Sequence, residues 1–101
     1  MQHEGVPNFL ADLKERDPEL FASVHKMLQG VMAPGKLDVK TKLLIAIAVD
    51  ASKGARPSIE NLANQARKMG ITNEEIHEAL NVGMASANLE FLSSASLAFK
   101  K

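Results

Sequence analysis

Leu43-Leu44-Ile45-Ala46-Ile47-Ala48-Val49 (LLIAIAV) is the longest apolar run in the chain, and its reading decides the fold. Seven residues fall far short of the roughly twenty needed to cross a bilayer. Asp38 stands before the run as a capping oxygen and Gly54 after it as a stop, which predicts a helix over about 39–53. Its centre is apolar on every side, so it needs neighbours on every side. The rest of the chain offers helices to surround it and no convincing strand. The expected fold is all-α, about six helices in one domain spanning residues 1–101.

Toward the N-terminus, Asn8 is a candidate cap for a short first helix bearing Phe9, Leu10 and Leu13. Asp17-Pro18-Glu19 writes a second start: a capping oxygen, a proline at the first helical position and an acid in the first turn. Phe21, Val24, Leu28 and Val31 follow at helical spacing and predict one buried stripe, ended by Gly30-Val31-Met32-Ala33-Pro34-Gly35. Toward the C-terminus, Ser52 to Ala66 (SKGARPSIENLANQA) opens a fourth helix at Pro57. Ile59, Leu62, Ala63, Ala66 and Met69 form its apolar stripe, Glu60, Asn61, Asn64, Arg67 and Lys68 face away, and Gly70 closes it. Thr72-Asn73-Glu74-Glu75 is a capping box for a fifth helix, whose inner face carries Ile76, Ala79, Leu80, Gly83 and Met84. Glycine inside a helix costs about 1 kcal/mol against alanine, so Gly83 is expected where another helix comes close. A sixth helix, about 88–100, carries Leu89, Leu92, Ala95 and Phe99.

Twelve basic residues balance twelve acidic ones, so no surplus of positive charge exists to hold a phosphate backbone, and nucleic acid is not an expected partner. Lys40, Lys42 and Lys53 read as a solvated face. The chain is 46% hydrophobic but 4% aromatic, so its core is aliphatic and its five methionines read as core filler. The absence of cysteine excludes disulfide and thiol chemistry and is compatible with a reducing compartment. The start MQHEGVPNF lacks the basic and apolar regions of a signal peptide. A soluble cytoplasmic protein with no membrane partner is the expectation. Ala46, Ala48, Ala51 and Ala55 let backbones approach closely, and so much apolar surface in a small chain favours a homo-oligomer.

Two segments carry a family resemblance. Lys36 to Val49 (KLDVKTKLLIAIAV) resembles the opening of the carboxymuconolactone decarboxylase and alkylhydroperoxidase D-like family, and Gln65 to Leu80 (QARKMGITNEEIHEAL) resembles the segment after its active site. The likeness spans about residues 36 to 90, and the phrase G-x-T-x-E-E-I-x-E-A-L is its more specific half. It implies an all-helical protomer that assembles as trimers or hexamers, with active sites near subunit contacts. It also implies where the chemistry would lie. Members with thiol peroxidase activity carry C-x-x-C, a His four residues beyond the second Cys, and a Glu one helix earlier. Those positions fall here on Ala55, Ser58 and Leu62, and on or beside Leu43. The lactone decarboxylases of the family keep the His, whose position is again Leu62.

Peroxide reduction needs an oxidisable thiolate and a thiol to resolve it, and a serine hydroxyl at 58 supplies neither. Decarboxylation with proton delivery calls for a group titrating near neutrality, which leucine lacks. Thiol peroxidase activity is therefore not expected, and no cofactor or metal is called for. What remains is Arg56, Ser58 and Asn61 at the start of the fourth helix, where free amides and the helix dipole suit an anion such as the carboxylate or phosphate of a small ligand. The plainer alternative is a solvated helix start. Asp50 either reaches the same region or is simply the polar exit of the apolar helix. His25 and His77 are candidate acid–base groups or, more plainly, boundary residues, and His3 belongs to a tail. Two functional classes follow: a family member with a degenerate active site that binds a small, carboxylated metabolite, or a non-catalytic oligomeric assembly protein. Residual lyase or hydrolase chemistry through Asp50, Ser58 or His77 ranks below both.

Overall fold

A computed structural model describes residues 8–100, and the described residues form helices without strands. In order they are α1 (Asn8–Arg16), α2 (Pro18–Met32), α3 (Val39–Lys53), α4 (Arg56–Lys68) and α5 (Asn73–Ala95), followed by a 3-10 turn (Ser96–Phe99). His3 and the side chain of Asn8 lie outside the described residues.

The helix starts follow from their first few residues. Asp17 and Asp38 each accept an amide hydrogen bond three residues on, from Leu20 (3.1 Å) and Thr41 (2.8 Å). At Thr72 the capping box is complete. The Glu75 amide donates to the Thr72 hydroxyl at 3.1 Å, and the Thr72 amide donates to the Glu75 carboxylate at 2.9 Å. The end of α4 is a Schellman closure: Gly70 sits at φ +84°, its amide meets the Arg67 carbonyl, and the Ile71 amide meets the Ala66 carbonyl. The same closure ends α3 around Gly54, at φ 71°, with the Ala55 amide on the Asp50 carbonyl at 3.0 Å. Each motif satisfies carbonyls that would otherwise be stranded, and each swings the chain straight into the next helix.

The core sits among α3, α4 and α5. Leu43, Ile47, Ala66, Ile71 and Ile76 are buried, with Met32, Val39, Leu44, Leu62 and Leu80 packed against them. Ile71 owes its place to the Schellman turn, whose outer residue packs back on the helix it ends. Gly83 faces Ala48: a methyl built on it would stand 3.3 Å from the Ala48 Cβ and 3.5 Å from its carbonyl oxygen. The glycine thus lets α5 approach α3, as its sequence position suggested. At the other end of this pair the Lys40 ammonium meets the Glu75 carboxylate at 2.7 Å. Lys42 donates to the carbonyls of Val31 (2.8 Å) and Ala33 (2.6 Å), tying the end of α2 to α3. Lys40 and Lys42 therefore do not belong to a solvated face. Each is half-buried and engaged, while Lys53 is exposed.

Three expectations change. The fifth and sixth helices are one 23-residue helix, because Met84 to Asn88 contains no glycine or proline to break it. The stripe on α2 is not buried: Leu28 and Val31 are exposed, and Phe21 and Val24 only half-covered. Among the described methionines, Met32 packs on the core while Met27, Met69 and Met84 are exposed. The last two changes go together, because the chain leaves more surface exposed than a compact monomer does. The chain exposes 7851 Å², where a compact monomer of its mass would expose about 5,600 Å². Its radius of gyration is 16.7 Å, against about 13 Å for a compact domain of this length.

Candidate functional site

The α3–α4 corner is built by the Gly54 closure, which delivers Ala55 as the cap of α4 and places Pro57 in its first turn. No side chain caps this start, unlike those of α2, α3 and α5. Ser58, Asn61, Leu62 and Gln65 succeed one another at three- and four-residue steps, so they share one face of α4, and all four are half-buried. Leu62 on this face packs against the core. Arg56, at the start of α4, is exposed, and Asp50 is half-buried in the last turn of α3. Asp50 contributes its backbone carbonyl to the Gly54 closure. Among the described residues, the side chains of Asp50, Arg56, Ser58 and Asn61 have no hydrogen-bonding or ionic partner. The structure thus keeps Ser58 and Asn61 on one face, with Arg56 in the same first turn as Ser58 but on the other side of the helix, and gives them no side-chain partner among the described residues.

The other candidates lie elsewhere. His25 is half-buried on α2, its ring edge-on to Phe21 with centroids 5.4 Å apart. Lys14 crosses from α1 to stand 5.6 Å above the same phenyl ring. Together with Ala22, Lys26 and Gln29 they line a shallow groove between α1 and α2. Spacing along the chain could not reveal it, because it depends on how α1 folds back over α2. His77 is exposed on α5, not turned inward. Among the described residues, no group of three or more His, Cys, Asp or Glu side chains could hold a metal ion, and no helix is long and apolar enough to cross a membrane.

Two carboxylates are held below the usual carboxylate range. Glu75 is lowered first by its hydrogen bond with Lys40 and then by the Thr72 amide, and Asp38 by its hydrogen bonds with Thr41. Both act at helix starts, where negative charge suits the exposed amides. Neither lies in the α3–α4 corner.

Residues 18–101 match the carboxymuconolactone decarboxylase family model. The chain belongs to that family. It is 33% identical over 90 residues to Uncharacterized protein MJ0742 of Methanocaldococcus jannaschii, a match covering 88% of this chain and 86% of the relative. Uncharacterized protein MJ1511 of the same organism is 29% identical over 77 residues, covering 76% of this chain and 72% of the relative. No solved structure matches the chain. Against this family background the packing of two positions is informative. Leu43, on or beside which the resemblance places a glutamate, is 2% exposed and belongs to the core. Leu62, where it places a histidine, packs on that core. Both side chains make the hydrophobic contacts that hold α3 and α4 together.

Proposed function

We propose that this carboxymuconolactone decarboxylase-family protein has a degenerate active site and binds a small carboxylated metabolite at the α3–α4 corner without thiol peroxidase activity. The observation that carries this reading is the unpartnered polar set at an uncapped helix start. Ser58 and Asn61 are half-buried with no partner among the described residues, and Arg56 stands exposed in the first turn of the helix. Their polar atoms are open to solvent, so an anion there meets free hydroxyl and amide donors at the positive end of the helix. Leu43 and Leu62 in the core argue against a titrating group at either position. Thermal-shift screening with small mono- and dicarboxylates is expected to raise the melting temperature for at least one compound. Arg56→Ala should abolish that rise while leaving the unliganded melt unchanged. A blank screen, or a rise that survives the substitution, refutes the reading. Peroxide consumption with a dithiol donor should stay at the background rate.

A second reading is favoured by a separate observation: the protein serves as a homo-oligomeric assembly, of three or six copies if it follows the family resemblance. Its support is the excess of exposed surface, about 2,200 Å² beyond a compact monomer. Obligate interfaces bury about that much or more. Light scattering is expected to return a mass several times 10.9 kDa, and a monomer at micromolar concentration would refute it.

A further inference from the structure

The groove between α1 and α2 lies apart from the α3–α4 corner, and its two ends differ in chemistry. Pro18, Phe21, Ala22, His25, Lys26 and Gln29 line it from α2 at three- and four-residue steps, so they form one stripe along the helix, and Lys14 closes it from α1. At about 1.5 Å per residue the stripe is about 16 Å long. The groove holds about 420 Å³, a volume within the range of small-molecule sites. Its end nearer the α1–α2 turn is apolar, with Pro18, Phe21 and Ala22, and its far end is polar, with His25, Lys26 and Gln29. The lining contains two lysines, one histidine and no acid, in a chain whose formal charges cancel. Among the described residues, Lys14 and Lys26 have no carboxylate partner, and the side chains of His25 and Gln29 have no hydrogen-bonding partner.

We propose that this groove binds an alkyl anion of the class of medium-chain acyl carboxylates, its chain over Pro18, Phe21 and Ala22 and its acid group at Lys26. The site is separate from the α3–α4 corner and stands or falls without it. Charge sets the sign of the ligand. A lysine ammonium with no acid in its surroundings gains a charge-assisted hydrogen bond from a carboxylate, and His25 and Gln29 add donors at the same end. Phe21 sets the character of the body. Its ring already has Lys14 5.6 Å above it and His25 against it edge-on. Little of the ring is left for a flat ligand to stack on, so a flexible chain packing by van der Waals contact fits better than an aromatic plane. An acidic peptide matches less well, because its backbone N–H and C=O groups would lie on Pro18, Phe21 and Ala22, whose side chains offer them no partner.

The test uses the full chain, isotopically labelled, with sodium octanoate as the probe. At millimolar octanoate the magnetic resonance signals of the Ala22 methyl and the His25 and Lys26 amides should shift and saturate. Octanamide has the same chain without the charge and should bind about fivefold more weakly, as should octanoate to Lys14→Met/Lys26→Met. Acetate, which has the charge without the chain, should leave the Ala22 methyl unmoved. Absence of shifts in the groove, or equal affinity for octanoate and octanamide, overturns the proposal. If the double variant loses its helical circular-dichroism signal, the comparison of octanoate with octanamide decides alone. Arg56→Ala should leave the octanoate shifts unchanged, and shifts that vanish with it belong to the corner and overturn the groove. Groove shifts that require phosphatidylglycerol vesicles, or that arise only with polyglutamate, assign the surface to a membrane or to an acidic protein, and either overturns the proposal.

Discussion

The two halves of α5 are nearly equal in apolar content and opposite in circumstance. The first half lays Ile76, Leu80 and Gly83 against α3, and Ile76 is buried. The second half presents Leu89, Phe91 and Leu92 to the outside. No breaker divides the helix, and the share of apolar residues does not separate the halves, although the first carries Glu74, Glu75 and Glu78 and the second only Glu90. Where α3 is alongside, exposure follows the face of the helix, Val82 and Met84 turning outward while Ile76 is buried; beyond α3, Leu89, Phe91 and Leu92 are exposed on every face they occupy.

The strongest attack on that comparison truncates one residue from each half. Ile76→Ala should cost about 2–5 kcal/mol, because it removes buried methyl groups and leaves a cavity in the core. At low protein concentration, Leu92→Ala should cost less than about 0.5 kcal/mol, as exposed substitutions do. Urea unfolding at two protein concentrations checks both, and equal costs at the lower concentration would mean the halves are packed alike. The next largest effect is expected at the boundary. Gly83→Leu should cost about 1–3 kcal/mol by overpacking the crossing with Ala48. Gly83→Ala should change stability by less than about 1 kcal/mol, since its helix-propensity gain opposes the tight contact. The smallest effect is electrostatic. Glu75 and Asp38 titrate lower in the folded chain than in the unfolded one. Their contribution is thus complete above the ordinary carboxylate range and disappears as pH falls through their lowered values. Melting temperature should hold level down to about pH 5 and decline below it, with Glu75→Gln showing a shallower decline.

Much of the first half of this contrast is legible in the sequence. Asp38 and Gly54 bracket α3 where expected, Thr72 and Glu75 cap α5 reciprocally, and Gly83 marks a close helix crossing. These signals are local: each lies within a few residues of the feature it specifies. The stripe on α2 differs from expectation because helical spacing says which residues share a face and not what packs on it, and the helix expected from 88 merges with α5 because nothing between them breaks the helix. The α3–α4 corner is legible only in part. Its helix start and its family positions can be placed by counting, and the structure puts Ser58, Asn61 and Leu62 on one face. That Leu43 and Leu62 are core contacts cannot be counted out, because it depends on how α4 and α5 close over α3. The engagement of Lys42 escapes the sequence for a similar reason, since its acceptors lie nine and eleven residues away along the chain.

That lysine has a further consequence. Among the described residues, the packing of Met32 and one ammonium group shared by two carbonyl oxygens at the end of α2 join the N-terminal hairpin to the three-helix body. Neutralising the amine, by acylation or by Lys42→Met, removes donors that those carbonyls need. The hairpin should then loosen as a unit while the body keeps its protection. Amide hydrogen exchange would register this as faster labelling confined to α1 and α2, which makes Lys42 a latch between two separately melting pieces of one small protein.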